Sequence, residues 1–349
     1  MESKKYLKLS DISKITGYSC PTVSKVINNY KDVKKETRSK ILKTIKDLDY
    51  EPEWSARSLR TRKTGIIGII FKDISNPFYS QVVVGIQDAI LRENKDIILF
   101  NTNFDEKLEL HYLKVAFSKR VDGIILATLG TSSGIDLVKK ITTRIPITII
   151  DNNIPEVETD KVFHDNKKMA KELTRHLISH GHKKIAILAH STNETSSTKR
   201  IIGYKEALEE NSLSINENLI KIISYEEEKD FSKIKSKVRE LFSLKEKPTS
   251  IFIASTNLII GALSYLNENR YKIPEDIALV SFDDYDFINI LNPPVTTFKS
   301  INKKMGYKAA SLLLKRIKGF KGKHRQILLG SDLIIRRSCG CLNRKEVQT

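Results

Sequence analysis

Leu9-Ser10-Asp11-Ile12-Ser13-Lys14-Ile15-Thr16-Gly17-Tyr18-Ser19-Cys20-Pro21-Thr22-Val23-Ser24-Lys25-Val26-Ile27-Asn28 reads as helix, glycine turn, helix. Ser19 is placed to cap the second helix, its hydroxyl accepting an orphan backbone N–H. Pro21 then falls in the first turn, where a missing N–H costs little. A third helix over residues 37–48 carries Ile41, Leu42, Ile45 and Leu48 at helical spacing. These four are expected to close a small core over Ile12, Ile15, Val23 and Val26. The second helix keeps small hydroxyls and the cation Lys25 on one face, the geometry a protein needs to lay a helix in the major groove of DNA.

Working outward, Tyr50-Glu51-Pro52 ends this first unit. Residues 53–60 offer about two turns of helix, marginal if alone in water, and Thr61-Arg62-Lys63-Thr64 follows as a basic linker. From Gly65 the pattern changes. Ile66-Ile67-Gly68-Ile69-Ile70-Phe71 is a continuous apolar run, as a parallel strand covered on both faces should be. Similar runs start at Asp96, Gly123, Ile147, Lys184, Ser250 and Ala278, with helical segments between them, for example 80–94 and 169–179. Strands alternating with helices imply doubly wound α/β sheets, whose ligands gather at the carboxyl ends of the strands.

Composition narrows the function. Among 349 residues, Lys+Arg 60 stand against Asp+Glu 42, a net charge of +18. Such an excess favours a polyanionic partner. It is spread along the chain, though, with 15 Lys/Arg and 8 Asp/Glu in residues 1–62, so much of it also serves solubility. Three cysteines, Cys20, Cys339 and Cys341, are too few for a disulfide framework and read as ordinary reduced thiols. The first residues lack a signal-peptide core and no apolar run is long enough to span a membrane, so a cytoplasmic protein with no membrane partner is expected. Gly130-Thr131-Ser132-Ser133-Gly134 lacks the Gly-Lys-Ser/Thr of a phosphate loop, and no G-x-S-x-G elbow appears. His180-Gly181-His182 looks like a metal pair but sits in a turn before a strand and reads as structural. No catalytic centre, cofactor or metal site is expected.

The ordered motifs resemble the LacI/GalR family of bacterial repressors from about Leu7 to Arg337. They include Thr22-Val23-Ser24-Lys25-Val26-Ile27-Asn28, Leu48-Asp49-Tyr50-Glu51-Pro52, Ala56-Arg57-Ser58-Leu59 and Asp73-Ile74-Ser75-Asn76-Pro77-Phe78-Tyr79. Further along stand Gly181-His182-Lys183-Lys184, Arg200-Ile201-Ile202-Gly203-Tyr204, Ile273-Pro274-Glu275-Asp276-Ile277-Ala278, Ser281-Phe282-Asp283-Asp284 and Pro293-Pro294-Val295-Thr296-Thr297. The resemblance implies a helix-turn-helix headpiece (1–51), a hinge helix and linker (52–63), and an effector and dimerisation domain (64–339) before a tail (340–349). That domain is expected to be two Rossmann-like subdomains of periplasmic-binding-protein type, crossed three times by the chain. The N-subdomain should hold about 64–160 and 283–320, the C-subdomain about 162–281 and 321–339.

The resemblance also assigns roles. Cys20, Pro21 and Lys25 occupy base-reading positions, with Lys25 able to donate to guanine. Leu9, Ser19, Thr22, Ser24 and Asn28 are expected at phosphates, which position the protein without reading sequence. Ala56, Arg57 and Leu59 belong to the minor-groove hinge, where paired leucines from a dimer wedge open base steps. The alternative is that Leu59 packs on the ligand domain. For the effector, Phe78, Tyr79, Asp151, Tyr225, Ser255 and Asp283 are expected in the cleft. Arg200 either joins them or pairs with a carboxylate. Ala254-Ser255-Thr256-Asn257 departs from the Asn-Asp that family members often place there, and offers Ser255 and Thr256 instead, or Asn257 if one residue is deleted. The implied function is a DNA-binding repressor, a homodimer on a pseudo-palindromic operator, controlled by a sugar or sugar derivative. A catabolite regulator using a phosphocarrier protein, or a purine-responsive repressor, remain as alternatives.

Overall fold

A computed structural model describes residues 7–27, 30, 32–50, 63–190 and 195–341. The chain divides into two compact units, Met1–Thr64 and Gly65–Thr349.

The first unit holds α1 (Leu9–Thr16), α2 (Cys20–Ile27) and α3 (Lys35–Asp47). Gly17 closes α1 in the left-handed conformation at φ 75°, with its N–H on the Ser13 carbonyl, a cap that a Cβ would strain. The Thr22 N–H donates to Ser19 Oγ at 3.4 Å, as the N-cap reading requires. Ile12, Val23, Val26 and Ile41 are buried together with Tyr50, which the helical periodicity did not assign. The expected core is otherwise smaller than anticipated. Ile15, Leu42 and Leu48 are 56%, 45% and 37% exposed, because three short helices have only one shared side and these residues lie off it.

The second unit contains two six-stranded sheets. The first has the order β11-β5-β4-β3-β1-β2 and is parallel throughout. Its strands are β1 (Ile66–Phe71), β2 (Asp96–Asn101), β3 (Gly123–Leu126), β4 (Ile147–Ile150), β5 (Asp160–His164) and β11 (Gln326–Leu329). The second has the order β12-β10-β9-β8-β6-β7. It is built from β6 (Ile185–His190), β7 (Ile220–Ile223), β8 (Ser250–Ile253), β9 (Ala278–Ser281), β10 (Thr296–Phe298) and β12 (Leu333–Ile334). Only β12 runs antiparallel. Central strands such as β1, β3, β4 and β8 are apolar and buried, because helices cover both faces.

Helices α4 (Pro77–Leu91), α5 (Glu106–Ser118), α6 (Ser132–Thr142) and α13 (Asn302–Ile317) pack on the first sheet. Helix α4 starts three residues before the expected Ser80, because Asn76 caps it with Oδ1 accepting the Phe78 N–H at 2.9 Å. Helices α7 (Asn166–Ser179), α8 (Thr195–Glu210), α9 (Tyr225–Glu228), α10 (Phe231–Phe242), α11 (Thr256–Glu268) and α12 (Asp286–Asn289) accompany the second sheet. Backbones of α4 and α13 approach so closely that a Cβ on Gly306 would lie 2.0 Å from the Val82 carbonyl oxygen.

The chain passes between sheets three times, after β5, after β10 and after β11. This moves the expected subdomain boundaries. Segment 326–329 belongs to the first sheet, not the second, because it pairs with β5 through Gln326↔Lys161 to Leu329↔His164. Conversely, β10 lies in the second sheet beside β9. Cys339 and Cys341, expected as free thiols, are joined in a disulfide. Gly340, at φ 78°, folds the intervening residue so that their Cα atoms stand 5.6 Å apart, within bridging range. Among the described residues no helix is long and apolar enough to cross a membrane.

Candidate functional site

Two sites were expected, and each unit places its residues separately. In the first unit Val23 and Val26 on α2 point into the core shared by the three helices, so Pro21 and Lys25, four residues apart, share the opposite face. Pro21 is exposed and Cys20, Thr22, Ser24 and Lys25 are partly so. Lys25 Nζ is paired with Asp32 Oδ2 at 2.5 Å, a partner that sequence reasoning missed. With side-chain exposures of 45% and 54% that pair is weak, and DNA can compete for the lysine. Ser19 caps α2 while its hydroxyl also lies 2.9 Å from that of Thr22. Leu9 opens α1. Asn28 and the hinge residues Ala56, Arg57 and Leu59 lie outside the described residues.

In the second unit one cavity is lined by all seven expected effector residues: Phe78, Tyr79, Asp151, Arg200, Tyr225, Ser255 and Asp283. It also takes in Thr256, and Lys72, Phe104, His190, Ser196 and Ser197, which were not anticipated. The placement follows from the topology. Lys72 follows β1, Asp151 follows β4, His190 ends β6, Ser255 follows β8 and Asp283 follows β9. All sit at carboxyl ends of parallel strands, where doubly wound sheets collect ligands.

On the side of the first sheet, Lys72 Nζ pairs with Asp151 Oδ2 at 2.8 Å, and the Tyr79 hydroxyl donates to the same oxygen at 2.8 Å. Burial pushes the Asp151 carboxyl up, but the ammonium of Lys72 and these hydrogen bonds outweigh it, so it rests below the ordinary carboxylate range. Lys72 itself is only 1% exposed.

The side of the second sheet is differently poised. Burial holds Asp283 above the usual range, against the nearby Arg200 and the Thr256 hydroxyl at 3.0 Å from Oδ2. Arg200 is fixed from several directions. Its Nε donates to Asn166 Oδ1 at 2.8 Å and its Nη1 to the Ala254 carbonyl. The guanidinium lies 3.5 Å from the Phe282 ring centroid and 4.0 Å from Asp283. Arg200 therefore lines the cavity and also pairs with a carboxylate. Ser255 bonds His190 Nε2 at 2.8 Å, and burial lowers that imidazole to about 4. Thr256, not Asn257, supplies the neighbouring contact with Asp283.

Three rings join the two sides. Phe104, in the turn after β2, stacks on Tyr225 at 3.8 Å, and Tyr225 stacks on His190 at 4.5 Å. Thr195 adds a second tie, with its N–H and hydroxyl donating to Asn152 Oδ1 at 2.7 and 2.6 Å. The cavity between holds about 60 Å³. Pockets for organic ligands commonly begin near 300 Å³. A ligand of that size therefore requires the cavity to widen.

Known proteins share both units. Residues 8–53 match the family of bacterial regulatory proteins, lacI family. Residues 64–337 match the family of periplasmic binding proteins and sugar binding domain of LacI family. The chain is 31% identical over 335 residues to the HTH-type transcriptional repressor PurR of Haemophilus influenzae (strain PittEE), covering 95% of this chain and 98% of that one. It is 28% identical over 330 residues to the Ribose operon repressor of Haemophilus influenzae (strain ATCC 51907 / DSM 11121 / KW20 / Rd), covering 95% and 98%. The fold is that of the Lac repressor bound to ONPG, with a TM-score of 0.84, 21% identity and coverage of 96% of this chain and 100% of that one. It is also that of the transcriptional regulator CelR–cellobiose complex, with a TM-score of 0.71, 24% identity and coverage of 95% and 99%.

Proposed function

The chain belongs to the LacI family of bacterial regulatory proteins, and from that premise we propose a repressor that binds a pseudo-palindromic operator as a homodimer and is switched by a neutral polyhydroxylated ring, a sugar or sugar derivative, held between the two sheets. One observation carries the ligand class. Asp151 and Asp283 approach one cavity from its two sides, each with its own cation, Lys72 or Arg200. Carboxylates accept hydroxyl hydrogen bonds, and the balanced charge leaves no surplus cation for a phosphate. Phe78, Phe104 and Tyr225 offer aromatic faces to the apolar side of a ring. A planar purine is the second reading, supported by the Phe104–Tyr225–His190 stack, into which a flat base could slide.

On DNA, Lys25 is the reader of a base edge, with Pro21 and Cys20 limited to apolar or weak contacts. Leu9, Ser19, Thr22, Ser24 and Asn28 serve phosphates, and Ala56, Arg57 and Leu59 serve the minor groove. The regulated step is the spacing of the two hinges, which ligand-driven motion of the lobes would alter. A thermal-shift screen of sugars, sugar phosphates and purines tests the ligand class, because a ligand that binds the folded chain raises its melting temperature by mass action. Stabilisation by neutral sugars alone supports the reading, and stabilisation by purines alone replaces it with the second.

A further inference from the structure

Outside the cleft, the second lobe carries a cluster of histidine and cysteine side chains. His176 and His180 lie one turn apart at the end of α7, their ring centroids 4.6 Å apart. The chain end brings Cys341 onto them, with Sγ 3.3 Å from His176 Nε2. One ligand atom from each of the three falls within 4.8 Å of the others. This i, i+4 histidine pair on one helix turn is the spacing that holds zinc in helical sites. His180 Nδ1 lies 2.7 Å from the His176 carbonyl, a bond that places the proton on Nδ1 and leaves Nε2 with its lone pair. His182, which the sequence suggested beside His180, turns instead to Thr249 Oγ1 at 3.0 Å.

We propose that His176, His180 and Cys341 form a binding site for one zinc-like divalent cation when the Cys339–Cys341 bond is reduced, and that forming this bond closes the site. Two imidazoles and a thiolate are a borderline-soft donor set, suited to zinc rather than to calcium or magnesium. Reduction of the disulfide takes two electrons and two protons from a cellular dithiol, which becomes a disulfide, and yields two thiols. The cation then displaces the Cys341 proton to solvent and takes the thiolate. The fourth tetrahedral position is left to water. Oxidation ties the same sulfur to Cys339, which packs in the lobe's core against the Thr296 hydroxyl at 3.2 Å. A disulfide sulfur is no thiolate, so metal and disulfide exclude each other.

The test uses the full chain, reduced with a phosphine and freed of it without oxygen, and titrated with cobalt(II) and then zinc(II). One cobalt per chain with a thiolate-to-cobalt charge-transfer band, displaced by zinc, is expected, and none after treatment with oxidised glutathione. Cys341→Ser should lose the band. His176→Gln and His180→Gln should each weaken zinc binding by at least about 10-fold. Cys339→Ser should keep the band, which separates metal binding from the disulfide and from folding, and Cys20→Ser should keep it too. A band retained in Cys341→Ser, a band lost in Cys339→Ser, or equal binding by the reduced and oxidised chain would overturn the proposal.

Discussion

Replacing Lys72 by methionine would leave Asp151 buried without its cation. The pair is short, 2.8 Å, and Lys72 is sealed from solvent. Surface pairs contribute little, but removing one partner of a buried pair strands a charge and costs about 3–5 kcal/mol. Against a typical stability of about 5–15 kcal/mol that is a large loss. The pH dependence gives the sharper signature. In the wild type Asp151 lies below its unfolded value, so its contribution is complete above the ordinary carboxylate range and is lost only as pH falls through the folded value. Without Lys72, burial should outweigh what remains, the Tyr79 hydrogen bond and the charge of Arg200, and push the Asp151 carboxyl up. The variant is then penalised most at neutral pH and relieved as acid protonates the carboxyl. Urea unfolding followed by circular dichroism, at about pH 7 and about pH 5, should show a destabilisation that shrinks on acidification. Adding Asp151→Asn should recover most of the loss, since neither charge then remains. A loss under about 1 kcal/mol, or one that is the same at both pH values, would refute the assignment of Lys72 as the buried counter-ion of Asp151.

Lys25→Ala should remove discrimination between operator and random DNA at roughly 1–3 kcal/mol per half-site while leaving weak, salt-sensitive binding, and competition gel shifts would reveal undiminished preference if another residue reads the base. Phe104→Ala should remove an aromatic face offered to the ligand ring, worth about 0.5–1.5 kcal/mol beyond simple burial, and so weaken effector binding several-fold in calorimetry, with Phe104→Tyr restoring it. An unaltered affinity would mean that Phe104 does not face the ligand. Gly306→Ala should force α4 and α13 apart against the Val82 carbonyl and destabilise the second unit by about 1–3 kcal/mol, and an unchanged melting temperature would show that the helices separate at no cost.

The central strands could be read directly because burial on both faces makes them unbroken apolar runs, such as Ile66-Ile67-Gly68-Ile69-Ile70-Phe71. Polar strands and chain crossings could not. Asp160–His164 looks polar, yet it is buried because Arg316 pairs with Asp160 at 2.7 Å and Lys161 Nζ donates to Asn153 Oδ1 at 3.0 Å. Arg316 lies 156 residues from Asp160, and neither pair leaves a local periodicity. The motif after the first strand led to Phe78 and Tyr79. Lys72 was missed although a signal existed, a charge placed directly at the carboxyl end of an apolar strand. Thr256 was visible only as a departure from a family pattern, and its tie to Asp283 came from two strand ends meeting. In the headpiece, Tyr50 lies beyond the third helix, so no helical spacing could assign it to the core.

The central claim is that a ligand between the sheets controls DNA binding through groups that do not touch DNA. Its most direct test is fluorescence anisotropy on the operator selected by the wild-type chain from random duplexes, repeated with the sugar that stabilises that chain and with Asp283→Ala. Removing a buried acceptor for ligand hydroxyls leaves their hydrogen bonds unmade. The account predicts that the ligand shifts operator affinity in the wild type and leaves Asp283→Ala unmoved, with both proteins binding the operator equally well when no ligand is added. A ligand that moves both proteins alike, or that binds the wild type without changing its affinity for the operator, would contradict it.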